Sequence, residues 1–516
     1  MKTFILALAL AAFSGIPGFD SAVLIISGAS SMEELDESTL ERFRDLSLRP
    51  IELNGSSRSR LLASGLFNPF QVASLIDWRQ RSGDILSYTE LGLLDGFTPE
   101  YAEALKYFTR LESSGPPGVK RGVKMHNDLM LRASVKENDG LSSAAGLRYK
   151  ASFGDRAELN WASRTTYSDN KPGTGTISAA YYGRKTLGKI VLGHFGARFG
   201  QGLAQWSGFS LQPYGSVASL RRSGTGFAAT GSFSPELCGA AADFELGRWN
   251  LGAAYDFSGK KPLAFLSYTG RSVSAGATVA GKAFGAHWQI AVPSASFYGE
   301  LAWNGGFRGV AGVMWVPVYG RKLGAVARYI DGIPELIAGT SLPGLDAVAA
   351  FSTRQLRAMV KYAPELHAGP LDVTPALRLA ARRTEAWRLE GRGETQLDLS
   401  GWMLRSRIDF VYGTGLAWLV NAEAGRTEGK LKAYLRWTLF KVENWNDRIY
   451  VYERDAPGTF NVPAYYGKGW ALALAGSWKP SRKHSFYWRI SYMGYPWMTE
   501  YKASRAEVKL QYSLSL

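Results

Sequence analysis

RAEVKLQYSLSL, residues 505–516, alternates without a slip. Ala506, Val508, Leu510, Tyr512, Leu514 and Leu516 stand on one parity, with Glu507, Lys509, Gln511, Ser513 and Ser515 on the other. Successive strand side chains point to opposite faces, so this reads as a strand with one greasy face and one wet face. The segments before it repeat the pattern. Trp470, Leu472, Leu474 and Trp478 share a parity, as do Phe486, Trp488, Ile490 and Tyr492. A soluble antiparallel sheet reads the same way locally, so the number of repeats decides between the two.

The pattern runs back through almost four-fifths of the chain. Leu129, Leu131, Ala133 and Val135 alternate with polar neighbours, and so do Leu147, Tyr149, Ala151 and Phe153. Leu431, Ala433, Leu435, Trp437 and Leu439 stand against Lys432, Tyr434, Arg436 and Thr438. Turn pairs such as Gly154-Asp155, Gly247-Arg248 and Gly320-Arg321 punctuate the runs. Residues 121–516, at about ten per strand plus turns, imply about 18–24 antiparallel strands, and a sheet that large closes or splits. Charge on one parity, with Trp, Tyr and Phe on the other near segment ends, is the dress of an outer-membrane β-barrel facing lipid. Soluble β-sandwiches would need interdomain linkers, and none is visible after Gly118.

Residues 1–29 read as an export signal: Lys2, an apolar run from Phe4 to Phe13, then small residues. A second apolar run, Ala22–Ile26, blurs the cleavage point. No other stretch approaches the roughly 18 apolar residues of a membrane helix. Net charge is +16, unevenly spread. Residues 30–120 carry 10 Lys+Arg against 14 Asp+Glu, a balance of −4, and residues 1–29 carry zero, which leaves +20 on 121–516.

Residues 30–111 have a helical period instead. An acidic helix is expected over 33–46, stopped by Pro50. Anchors Leu61, Leu62, Leu66, Val72, Leu75, Ile76 and Trp78 follow, then Ser87 as an N-cap with Glu90 three residues on, and a last helix from Pro99. Residues 112–120, with Gly115-Pro116-Pro117-Gly118, read as a linker to the barrel.

IELNGSSRSRLLASGLFNPFQVASLIDWRQRSG (51–83) and YTELGLLDGFTPEYAEAL (88–105) resemble the tandem helix-hairpin-helix domain of exported DNA-uptake proteins. GARFGQGLAQWSGFS (196–210) and RIYVYERDAPGTFNVPAYYGKGW (448–470) resemble barrel segments of Bacteroidota-type outer-membrane proteins carrying that domain at their N-terminus. The resemblance implies a helical domain in the periplasm and a barrel in the outer membrane, delivered by the barrel assembly machinery. Many such barrels end in an aromatic residue, where this chain ends in Leu516. It also implies phosphate contacts at Asn68, Arg79, Arg81, Gly96 and Thr98, hence DNA as a partner. The hairpin turns read Leu66-Phe67-Asn68 and Gly96-Phe97-Thr98, so they lack most of the glycines that let backbone N–H groups close on a phosphate. Docking of another envelope protein is the competing expectation for the helical domain.

Gly200-Gln201-Gly202 lacks the Lys-Ser/Thr of a phosphate loop and marks a bend or a close backbone approach. With Trp206, Arg221 and Arg222 it makes a candidate inward loop, where basic side chains would set anion preference in a pore. Arg448–Tyr466 is long for a hairpin connection and reads as a binding loop or a broken strand pair. No catalytic constellation, cofactor motif or metal site emerges. His126, His194, His287, His367 and His484 are scattered, and Cys238 stands alone. The expected function is a pore or translocation component for anionic cargo, not an enzyme.

Overall fold

The computed structural model describes residues 18–29, 31–35, 37–112, 125–167, 173, 175–183, 186–208, 215–233, 235–318, 320–364, 366–368, 371–456, 459, 461–498 and 502–516. The expected linker, apart from Glu112, lies outside them.

From Met125 onward the chain forms one closed antiparallel barrel of 24 strands, at the upper end of the expected range. Each strand pairs with its sequence neighbours. The ring shuts where the first strand, Met125–Glu137, pairs with the last, Arg505–Ser515, from Asp128↔Ser515 to Glu137↔Ala506. Leu516 completes the seam, donating to and accepting from Asn127 at 2.8 and 2.9 Å. Two-residue hairpins such as Asp331-Gly332 and Ser400-Gly401 hold positive φ at both positions. That mirror-image turn matches the twist of paired strands.

Parity sorts the side chains as the sequence implies. The outer face is apolar along its length, with Trp402 63%, Phe351 62% and Leu510 56% exposed. Aromatic pairs gather near both rims, among them Trp249–Tyr268 and Trp478–Phe486 at one end and Phe307–Tyr329 at the other. On the inner face Arg148, Glu158, Asp243, Glu300, Arg407, Glu423, Arg436 and Arg489 are all buried.

Charged groups are buried only when something pairs with them, and here much of that something is the N-terminal part of the chain. Helices α1 (Phe19–Ser27), α2 (Glu37–Leu48), α3 (Arg58–Ala63), α4 (Pro69–Ser82), α5 (Tyr88–Leu91) and α6 (Pro99–Leu105) form a compact unit. Ile51-Glu52, just after α2, pairs in parallel with Thr109-Arg110, just after α6, and ties the two segments together. Phe43, Leu61, Val72, Leu75, Leu91 and Phe108 fill its core. Caps define the helices: Ser57 accepts from Arg60 N, Ser87 from Glu90 N and Thr98 from Tyr101 N. The expected helix over 33–46 is a 3-10 turn at Met32–Glu34 followed by α2.

Two expectations are corrected. Residues 1–29 do not behave as one segment. Residues 1–17 lie outside the described residues, whereas α1 belongs to the helical unit, with Ala22 and Val23 fully buried and Phe19 against Tyr107 and Phe108. Apolar side chains that suit an export signal suit a protein core equally well. The second concerns place. The helical unit does not hang below the barrel as a separate domain; it sits inside it. Its side chains meet inward-facing groups of the first three strands, of the strand Leu237–Leu246, of three consecutive strands between Leu371 and Tyr412, and of the last strand. Only an object in the lumen reaches the wall from so many sides.

Candidate functional site in the barrel lumen

The unit is moored by charge. Glu41 meets Arg148 at 3.2 Å, and Asp45 meets Arg148 at 2.5 Å and Lys150 at 3.4 Å. Arg49 pairs with Asp128 and donates to Ser152 at 2.7 Å, while Arg60 reaches Glu158 at 3.2 Å. Ser59 donates to Glu245 at 2.6 Å and Asp243 at 3.3 Å. At that contact the wall residue is Gly188, where a Cβ would stand 2.6 Å from Ser59 Oγ and 2.3 Å from Asp243 Oδ1, so any side chain would push the unit off. These wall groups all lie in the half of the barrel next to the rim with short turns.

Higher in the lumen, Glu33 is a clasp. Its Oε1 accepts from Arg407 at 2.6 Å, from Arg392 at 3.5 Å and from the Tyr452 backbone N–H at 3.2 Å. It thus joins the helical unit, the wall and the loop 443–466 in one contact. That loop folds inward from the long-loop rim, with a short strand pair of Ile449-Tyr450 against Ala464-Tyr465. Arg454 pairs with Glu423 at 2.6 Å, Asp455 with Lys509 at 2.7 Å, and Arg436 donates to Tyr452 O at 2.8 Å.

Burial pushes the Asp45 carboxyl up, but Arg148, then Lys150 and Arg44, outweigh it and bring it down to about 2. Burial acts the same way on Glu33, and Arg392 and Arg407 hold it well below the ordinary carboxylate range. A lowered carboxylate pKa stabilises docking fully above the free-state value and loses that stabilisation as pH falls through the docked value. The moorings should therefore hold from pH 7 to about 4.5 and weaken between about 4 and 2. Pepsin digestion of the micellar protein measures this. Cleavage within residues 18–112 should be slight at pH 4.5 and rise steeply below pH 3, and Asp45→Asn should show enhanced cleavage already at pH 4.5.

The candidate inward loop also lies in the lumen. Glu300 accepts from the backbone N–H groups of Gln201 (2.6 Å), Ala204 (3.1 Å) and Leu203 (3.3 Å). Gly200 has φ +52, and a Cβ there would meet Glu300 Oε2 at 2.7 Å. Gly202 has φ +87. Gln201 exchanges two hydrogen bonds with the Arg222 backbone, both at 3.0 Å. Trp206 lies between Arg198 and Arg222, whose guanidinium carbons are 5.6 and 5.1 Å from its ring. Sequence reasoning found the glycines but missed Glu300, about a hundred residues away. With Glu300→Ala the loop loses its anchor. Trypsin added to the folded protein should then cut at Arg221 and Arg222, sites it should spare in the parent chain.

The residues proposed for DNA contact are differently placed. Asn68 has φ −83 and serves as the N-cap of α4, in a reciprocal pair with Gln71. The Gly96 carbonyl accepts from Gln71 Nε2 at 2.9 Å, tying one hairpin turn to the other. Thr98 caps α6, Arg79 donates to Ser56 O at 2.9 Å, and Arg81 pairs with Asp77. These polar groups are engaged within the unit. His194 and Cys238 are cross-strand partners, with His194 Nδ1 3.0 Å from Ile177 O.

A cavity of about 1770 Å³ remains between the helical unit and the wall from Glu245 to Lys322, bounded also by the inward loop. Nine Arg or Lys and five Asp or Glu side chains line it. Asn68, Arg81, Gly96 and Thr98 border it too, as do Trp206, Arg221 and Arg222.

No protein-family profile matches the chain, and no curated protein matches it. Among solved structures it is similar to OccK3 (OpdO) of Pseudomonas aeruginosa, at 11% identity and a TM-score of 0.33, covering 76% of this chain and 95% of that one. It is also similar to OccAB3 of Acinetobacter baumannii, at 9% identity, TM-score 0.31, and 76% and 99% coverage. OpdK of Pseudomonas aeruginosa, solved with vanillate, gives 9%, 0.32, 76% and 98%.

Proposed function

We propose that this chain is an outer-membrane β-barrel serving as a gated passage, held shut by its own helical unit and two inward loops. The apolar outer face supports the location. An exposed greasy surface running round a closed barrel needs hydrocarbon to cover it. On this reading the rim of short turns faces the periplasm, the side from which the helical unit enters.

One observation carries the gating: the unit keeps its hydrophobic core largely to itself and meets the wall mainly through polar groups, with Ala63 packed against the wall's apolar cluster around Tyr182 and Phe195. Its core draws on residues 22–108, with Tyr452 of the inward loop as the one side chain from elsewhere packed against it among the described residues. Apolar contacts would glue it in place, whereas ion pairs and hydrogen bonds exchange for water at little net cost once the gap opens. The positive wall favours anionic cargo. Liposome swelling tests the passage. Vesicles carrying the intact chain should admit small anionic solutes faster than neutral sugars of equal size. Failure to admit either would end the proposal.

A second reading has its own observation. Leu86 and Leu93 are each 80% exposed on the helical unit, as befits a surface that docks an envelope partner. Co-purification of one partner with the parent chain, lost in Leu86→Glu with Leu93→Glu, would favour it.

A further inference from the structure

The cavity beside the helical unit has a cationic end. Arg198, Arg221 and Arg222 come from the inward loop and its approach, and Arg42 comes from α2 across the gap; all four line the cavity with Trp206 and Tyr101. Arg198 and Arg222 flank the Trp206 ring, a stack that fixes both guanidiniums. Arg42 and Arg221 both lie near Tyr101, whose hydroxyl is turned away to donate to Leu66 O. Among the described residues Arg221 has no carboxylate partner. Burial lowers its pKa, and only the phenols of Tyr298 and Tyr101 oppose that. The Tyr298 hydroxyl is itself spent on Leu220 O at 3.2 Å.

Three acids of the same cavity are engaged elsewhere. Glu34 pairs with Arg378 at 3.7 Å, Asp77 with Arg81 and Arg271, and Glu245 accepts from Ser59. Asp95 and Glu100 belong to the segment around the Gly96 turn. Even a partly buried cation without a counter-charge is costly, and the chain tolerates one here at the edge of an open volume. Guanidinium forks suit one ligand chemistry above others, the paired oxygens of a carboxylate or phosphate.

We propose that Arg221, with Arg42, Arg198 and Arg222, forms a station that captures a small oxyanion inside the passage. The inference rests on the reading of the lumen as a passage but does not share its test. Binding is read on the closed, intact protein, whereas passage is read by vesicle swelling. Oxyanion binding with no swelling would leave the station standing and remove the passage.

The experiment is isothermal titration of the full chain in detergent micelles at low salt, with inorganic phosphate and, separately, citrate. Saturable binding of at least one is expected, and the preferred probe tells phosphate from carboxylate recognition. Arg221→Gln should weaken it at least tenfold. Arg221→Lys, which keeps the charge but not the fork, should weaken it several-fold and guards against a misfolded glutamine variant. Arg308→Gln, whose partner is Asp331 away from the cavity, should bind like the parent. No saturable heat with either anion, or parent-like binding by both Arg221 variants, would overturn the proposal.

Discussion

Deleting residues 18–112 should raise single-channel conductance in planar bilayers by more than an order of magnitude. The 24-strand wall is a complete hydrogen-bonded ring without the helical unit. Barrels of about 16–18 strands already leave an aqueous channel. Removing the unit strips partners from Arg148, Lys150, Glu158, Asp243 and Arg407 all at once. The space they face then fills with water, which rehydrates them, so loss of the whole unit costs the wall less than loss of one partner from a closed site. The intact chain should show low conductance with brief openings. Heat-modifiable migration on gels checks that the deleted form still closes. A folded, deleted barrel conducting no better than the parent would mean that the loops, not the helices, occlude the lumen.

Glu33→Ala should have the next largest effect. It removes one carboxylate and leaves Arg392 and Arg407 facing a closed site with Asp409, at 2.8 and 2.6 Å, as their remaining ion-pair partner among the described residues. Stripping one member from a buried ion-pair network costs about 3–5 kcal/mol. That is roughly two to three and a half orders of magnitude in the population of the undocked state. The Tyr452 N–H loses its acceptor in the same change, so the loop 443–466 should loosen with the unit. Frequent large openings in bilayers, and faster hydrogen exchange over residues 449–456, are the expected readouts. Glu33→Gln keeps the shape and the acceptor oxygen and should fall between the two. An Ala variant with parent-like gating would remove Glu33 from the closure.

The barrel was legible because its signal is local. Alternation in Arg505–Leu516 needs no knowledge of distant residues, and a closed sheet buries one parity whatever fills it. The charge imbalance was equally visible, −4 on residues 30–120 and +20 beyond, yet its meaning was not. Taken as cargo preference, it is in good part a docking code: Glu33, Glu34, Glu41, Asp45 and Asp77 each face an arginine of the wall or its turns. Composition carries the sign of that code. Pairing such as Glu33 with Arg407, 374 residues apart, exists only once the ring has closed. The glycines at 200 and 202 likewise announced a tight bend, while the carboxylate they wrap lies on a strand that no spacing rule links to them. At Asn68 the local signal reads two ways. A residue that tolerates positive φ is also a good N-cap, and Pro69 with Gln71 settles the choice locally.

Occupation of the lumen by residues 31–112 is the claim on which the rest stands, and a cysteine cross-link tests it most directly. In a Cys238→Ser background, Ser59→Cys is combined with Glu245→Cys, which replace side chains whose oxygens are 2.6 Å apart. A short bis-thiosulfonate reagent, which spans the few ångströms left when the glutamate side chain is shortened to a cysteine, should link them almost completely through its two disulfides and give an internally cross-linked monomer whose conductance stays closed until a reductant is added. A folded barrel in which the two cysteines remain unlinked, and from which protease trims the helical unit intact, would contradict it.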